Sequence, residues 1–207
     1  MTSLERIATE LDSLLNTAGI PDYPQAINGV QVETPAQIVK VAAAVDLRER
    51  TIRAAADAGA NLLLVHHGLF WAGLQPLRGP YYRRIHALLA AGIGLYSSHL
   101  PLDAHPEIGN NVLLARELGL EPSAGFARYQ TIDIGVRGEC DVKTADLIAR
   151  AGAMAERWGG TVRSSPSEVR RTTRRWAVCT GAGASADTLR EAVECGVDTL
   201  IVGEGPH

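Results

Sequence analysis

Apolar and polar positions alternate along the chain in two rhythms. Leu4, Ile7, Ala8, Leu11, Leu14 and Leu15 recur at helical spacing, which predicts an amphipathic first helix. The stretch PDYPQAINGVQVE carries two prolines and an Asn-Gly pair, and reads as a loop entering a short strand. KVAAAVD (40–46) predicts a strand, followed by a helix from about Arg48 to Ala58 that Gly59 can stop. NLLLV (61–65) is the next strand. A helix over Tyr82–Ala91 stops at Gly92, IGLYSS (93–98) is a strand, and Asn110–Leu118 is a helix. Strands alternating with helices imply an α/β fold with crossover connections.

The pattern changes beyond residue 125. TIDIGVR (131–137) alternates as a half-exposed strand does, and TADLIARAGAMAERWG predicts a helix. SSPSEVRRTTRR (164–175) is polar and basic, and reads as a loop whose arginines, with Arg163, either face solvent or meet phosphates. One internal echo stands out. VAAAVDLRERTIRAAADAGANLLLVHHG (41–68) aligns without gaps on VCTGAGASADTLREAVECGVDTLIVGEG (178–205), setting His66 and His67 opposite Gly203 and Glu204. The expected division is an N-terminal lobe over 1–125 and a second lobe over 126–207, whose final strand leads back towards the site.

Composition narrows the function classes. With 207 residues, 46% hydrophobic and 21% charged, the chain can bury a sizeable core. A net charge of −3 gives no general attraction to nucleic acid or anionic membrane, so neither is an expected partner. No apolar run approaches the roughly 20 residues of a spanning helix, and the start lacks a signal-peptide layout. Cys140, Cys179 and Cys195 are isolated, as in a reduced cytoplasmic protein.

The candidate chemistry sits where two apolar strands end. LLLVHHGLFW places His66 and His67 at one strand end, and SSHLPLDAHPE places His99, Asp103 and His105 after another. Ligands in open α/β sheets bind beyond the carboxyl ends of the strands. Neighbours on a strand face opposite ways, so both histidines serve one site only if the chain turns at once, a freedom assigned to Gly68. Each imidazole can then hold a different ion, bridged by Asp103. Two ions about 3.5–4 Å apart can activate one water. Imidazole and carboxylate donors suit zinc, iron, nickel or manganese. His99 is a ligand, a partner behind a ligand or a general base, with the last two favoured. His105 is expected in a loop or helix cap, and Glu107 near the following turn. Trp71 is core or pocket wall. Three ligands do not fill two metal shells, so Glu204 and His207 are further candidates. The ending GEGPH, directly after a strand, suggests a segment beyond residue 207.

The strings DYPQAINGVQVE, LLLVHHGLFWAG, HLPLDAHPEIGNN, VCTGAGAS and GVDTLIVGE resemble the Nif-three-like dinuclear-metal hexameric proteins, the GTP cyclohydrolase type-two homologues, in their short bacterial form. The resemblance implies two intertwined, topologically similar α/β lobes with mixed sheets flanked by helices. It also implies a homo-hexameric toroid with a two-metal site facing its cavity. It makes His66, His67 and Asp103 ligands of two divalent ions, places His99 close by and gives Glu204 a supporting role. His99, as the catalytic residue, or a carboxylate behind the ligands is expected to move protons. The family's closing GHxxxE-like motif does not occur here, and by position His207 does not replace its histidine. The implied activity is hydrolytic opening of a purine ring, with GTP or another nucleotide as substrate. The alternative is a ring-shaped metal-handling scaffold that binds protein partners.

Overall fold

Ser3 starts the first helix by accepting a hydrogen bond from the Arg6 N–H at 3.3 Å, and Asn16 ends it in the left-handed region at φ 49. The computed structural model describes residues 2–165 and 170–204. The chain divides into two units, Met1–Leu102 and Asp103–His207.

The first unit contains α1 (Leu4–Leu15), β1 (Gly29–Val32), β2 (Val41–Asp46), α2 (Glu49–Asp57), β3 (Leu62–His67), α3 (Gly79–Ala90), β4 (Gly94–Ser97) and the short α4 (Leu100–Asp103), which runs into the second unit. Its sheet has the order β1-β4-β3-β2. β2, β3 and β4 are parallel neighbours, and β1 is antiparallel to β4. Both faces of β3 are covered, which is why LLLV is apolar without interruption. Leu62 packs with Leu4, Ala8, Leu15 and Tyr96 on the α1 side. Leu63 and Val65 pack with Ile52, Ala55, Leu88 and Leu95 on the side of α2 and α3. The consequence for function is positional: the carboxyl ends of three parallel strands deliver Asp46, His67 and Ser97 to one edge of the sheet.

The second unit contains α5 (Asn110–Glu117), β5 (Ala124–Tyr129), β6 (Ile132–Lys143), α6 (Thr144–Arg157), β7 (Thr172–Cys179), α7 (Ala186–Glu194) and β8 (Thr199–Val202), in the sheet order β5-β6-β7-β8. Only the β7–β8 pair is parallel. Trp176 and Val178 pack with Leu118, Leu120 and Leu147 on one face, and Ala177 and Cys179 with Phe126 and Ala192 on the other. The expected α/β class, with mixed sheets flanked by helices, is the observed one. Among the described residues no helix is long and apolar enough to cross a membrane.

Two expectations change in detail. The basic stretch 164–175 is not loop throughout, because Thr172–Arg175 already belong to β7. Twelve-residue β6 offers pairing partners that far. Thr173 is fully buried there, its hydroxyl 2.9 Å from those of Thr144 and Thr199, while Arg174 and Arg175 stand exposed. Residues 166–169 of that stretch lie outside the described residues. The echo of 41–68 in 178–205 holds as topology, strand-helix-parallel strand in both. The register, however, pairs Val41 with Leu62 but Trp176 with Thr199, so the second crossover is two residues longer and a gapless alignment misplaces β7.

Candidate metal centre

β3 carries both histidines to its end, and their rings fold over that end with centroids 4.7 Å apart. His99 follows β4, and its ring centroid lies 4.7 Å from that of His66 and 5.6 Å from that of His67. One ligating nitrogen from each ring lies within 4.8 Å of the others.

Each imidazole is held from behind through Nδ1. His66 Nδ1 lies 2.9 Å from the Ser98 carbonyl oxygen, which can only accept, so Nδ1 carries the proton and Nε2 presents a lone pair. His67 Nδ1 donates to Asp46 Oδ1 at 2.8 Å, and His99 Nδ1 to Asp22 Oδ1 at 2.8 Å. A carbonyl or carboxylate behind each ring is the arrangement that orients metal-ligating histidines and raises their basicity. Three imidazoles, two of them backed by carboxylates, form a donor set that fits a divalent cation, zinc, iron and nickel among those imidazole suits.

The carboxylates are themselves tuned. Burial, the largest influence on Asp22, pushes its pKa up. The hydrogen bonds from His99, Asn28 and the Leu100 N–H together outweigh that push and hold it below the usual carboxylate value. Asp46 is lowered chiefly by its bond to His67, with Arg48 assisting against partial burial. Asn28 ties the same loop down: its Nδ2 donates to Asp22 and its Oδ1 accepts from the His99 N–H at 2.7 Å. Trp71 walls the cluster, stacked on His67 at 4.8 Å between centroids with 27° between planes, and 4.3 Å from His99.

The immediate turn assigned to Gly68 has a different basis. Gly68 has no positive φ, and His67 remains in the strand. A Cβ at Gly68 would run into the Gln31 side-chain amide. That amide accepts from the Leu69 N–H at 2.7 Å and donates to the Ala26 and Ile27 carbonyls. Close packing against the hydrogen-bonded Gln31 amide, not backbone freedom, favours glycine there.

The family described as Duf34/NIF3 (NGG1p interacting factor 3) matches residues 2–207. The chain belongs to this family. Among Duf34/NIF3 relatives, a GTP cyclohydrolase 1 type 2 homolog of Archaeoglobus fulgidus is 38% identical over 205 residues, covering 99% of this chain and 79% of its own. The solved structure of protein ybgI, described as of unknown function, superposes with a TM-score of 0.85 at 32% identity, covering 100% of this chain and 80% of that one. TTHA1606 from Thermus thermophilus gives 0.82 at 30% identity, with 100% and 79% covered.

In this Duf34/NIF3 chain the other sequence-derived candidates are placed as follows. Asp103 ends α4 at the start of the second unit, where its Oδ1 accepts from Asn110 Nδ2 at 2.8 Å. His105 caps a turn, its Nδ1 accepting from the N–H groups of Glu107 and Ile108. Glu204 donates its backbone N–H to the Gly181 carbonyl at 2.8 Å and lines a cavity of the second unit. His207 lies outside the described residues. Of the arginines of 163–175, Arg171 donates to the Asp198 carbonyl and Arg175 lies 3.9 Å from Glu139. Cys179 is an inert thiol, pushed up to about 11 by burial and then by the charges of Asp103 and Glu191.

Sequence reasoning missed Asp22, Asn28, Gln31 and Asp46. Asp46 had a readable signal, a carboxylate ending VAAAVD beside the strand that ends in the histidine pair. Asp22 and Asn28 lay inside the resembling string DYPQAINGVQVE, but a loop has no periodicity to betray a buried acid.

Proposed function

We propose that the chain is a metal-dependent hydrolase of the GTP cyclohydrolase type, working at the His66–His67–His99 centre. The observation that carries this reading is the set of three imidazoles, each with Nδ1 held by an oxygen acceptor and with one ligating nitrogen apiece within 4.8 Å of the others. His66, His67 and Asp103 would hold two divalent ions. Bound there, such ions supply an activated water and an electrophile for the substrate. His99 takes and returns a proton at Nε2, and Asp22 stabilises the charged imidazole through Nδ1. Trp71 excludes water from one side. The relatives' name, GTP cyclohydrolase 1 type 2 homolog, supports a nucleotide as substrate. We place the protein in the cytoplasm as a homo-hexamer, which mass photometry of the purified protein would check.

Elemental analysis of the purified protein, followed by incubation with GTP and other nucleotides, tests the reading. About two ions per chain, and a metal-dependent product lost in His67→Ala, is the expected result. His99→Ala should keep the metal and lose turnover, whereas Asp103→Ala should lose metal. Tightly held metal without turnover of any nucleotide would instead favour the metal-handling scaffold.

A further inference from the structure

Beside His67 lies a cavity of about 260 Å³, lined among others by Asp46, Arg48, His67, Leu69, Trp71 and Arg84. It opens at the last register pair of the parallel strands, Asp46 with His67, which is where α/β sheets place their ligands. Two guanidinium groups reach it from different elements. Arg48 is the N-cap of α2, and Arg84 sits on α3.

Their hydrogen-bonding is unequal. Arg48 engages Asp46 Oδ2 through Nε at 3.1 Å and Nη2 at 3.0 Å, while Asp46 Oδ1 accepts from His67. The one carboxylate in the cavity is therefore already matched. Arg84 makes a long 3.4 Å bond from Nη1 to the Leu47 carbonyl and lies 5.8 Å over the Tyr81 ring. Its Nε is buried without a hydrogen-bond partner. Among the described residues no carboxylate pairs with Arg84. A guanidinium that stays ionised, partly desolvated and short of acceptors is costly unless an acceptor arrives. The charge left unmatched in this cavity is positive.

We propose that this cavity is an anion subsite, in which Arg84 and Arg48 grip the phosphate of a small-molecule substrate whose reacting part lies over His67. Planar, forked donors on two sides suit a tetrahedral oxyanion. The volume is below the about 300–1,000 Å³ of pockets that enclose a whole drug-sized ligand, so it takes the phosphate end and leaves the rest towards the three histidines. The direction of the substrate rests on reading those histidines as the reaction centre, but the presence of the anion site does not.

The test is titration of the full chain with inorganic pyrophosphate, followed by calorimetry and by Trp71 fluorescence against a Trp71→Phe control. It is run on the protein as purified and again after chelator treatment, where no turnover can occur, so failure of the subsite and failure of the hydrolase reading are separate results. Binding that survives chelation and weakens about tenfold or more in Arg84→Gln and in Arg48→Gln is expected. Should Arg84→Gln fail to fold by circular dichroism, Arg48→Gln, altered at an exposed side chain, decides alone. Absence of binding, binding abolished by the chelator, binding unchanged in the folded variants, or equally tight binding of acetate and citrate would each overturn the proposal.

Discussion

Asp22 Oδ1 lies 2.8 Å from Nδ1 of His99, and both side chains are almost fully buried, at 7% and 10% exposure. The carboxylate also accepts from the N–H groups of Tyr23 and Leu100 and from Asn28 Nδ2. One acid thus fixes the loop over 22–28, the start of α4 and the tautomer of a histidine in the metal centre. Asp22→Asn retains the shape but sets an amide NH2 against donors. Turnover should fall about 100-fold or more with the metal retained, read by nucleotide assay beside elemental analysis. Asp22→Ala should cost about 3 kcal/mol or more, read as a lowered denaturation midpoint.

Asp46 does for His67 what Asp22 does for His99, but from a more open position with 37% of its side chain exposed. Water can replace part of the lost hydrogen bond. Asp46→Ala should therefore weaken metal binding by about tenfold, with little change in melting temperature. Unchanged affinity in competition with a chromogenic chelator would contradict this role.

Gly68→Ala tests close packing against backbone freedom. The new methyl group meets the Gln31 amide, which cannot retreat without releasing the Leu69 N–H and two carbonyls. A loss of about 1–3 kcal/mol is expected in urea denaturation. Combined with Gln31→Ala, which removes the obstacle, Gly68→Ala should cost distinctly less than it does alone.

Asp198 gives a pH signature in the second unit, remote in sequence from the histidines. Burial pushes its pKa up, but the N–H groups of Arg175 and Arg174, the Thr199 hydroxyl and the Arg171 charge together lower it from 3.8. A depressed folded pKa stabilises above the unfolded value and loses that contribution as pH falls through the folded one. Asp198→Asn should therefore cost about 1–2 kcal/mol at pH 7, and the difference from the parent should shrink below about pH 4. Paired thermal melts across that range check the sign.

The sequence by itself determined the element order and the class of fold, because helical and strand periodicity are local properties that burial imposes on each segment. It also put His66, His67 and His99 at strand ends, since strand length fixes where an apolar run must stop. Tertiary structure alone decided what stands behind those rings. Asp22 is 77 residues from His99, and Asp46 is 21 residues from His67. Such pairs form only when loops and neighbouring strands close, and no local pattern encodes that closure. The same holds for Gly68, whose close neighbour Gln31 lies on another strand, and for β7, whose polar residues pair because β6 is long enough to meet them. Local hydrophobic rhythm chose the scaffold, and long-range hydrogen bonding chose the chemistry of its open edge.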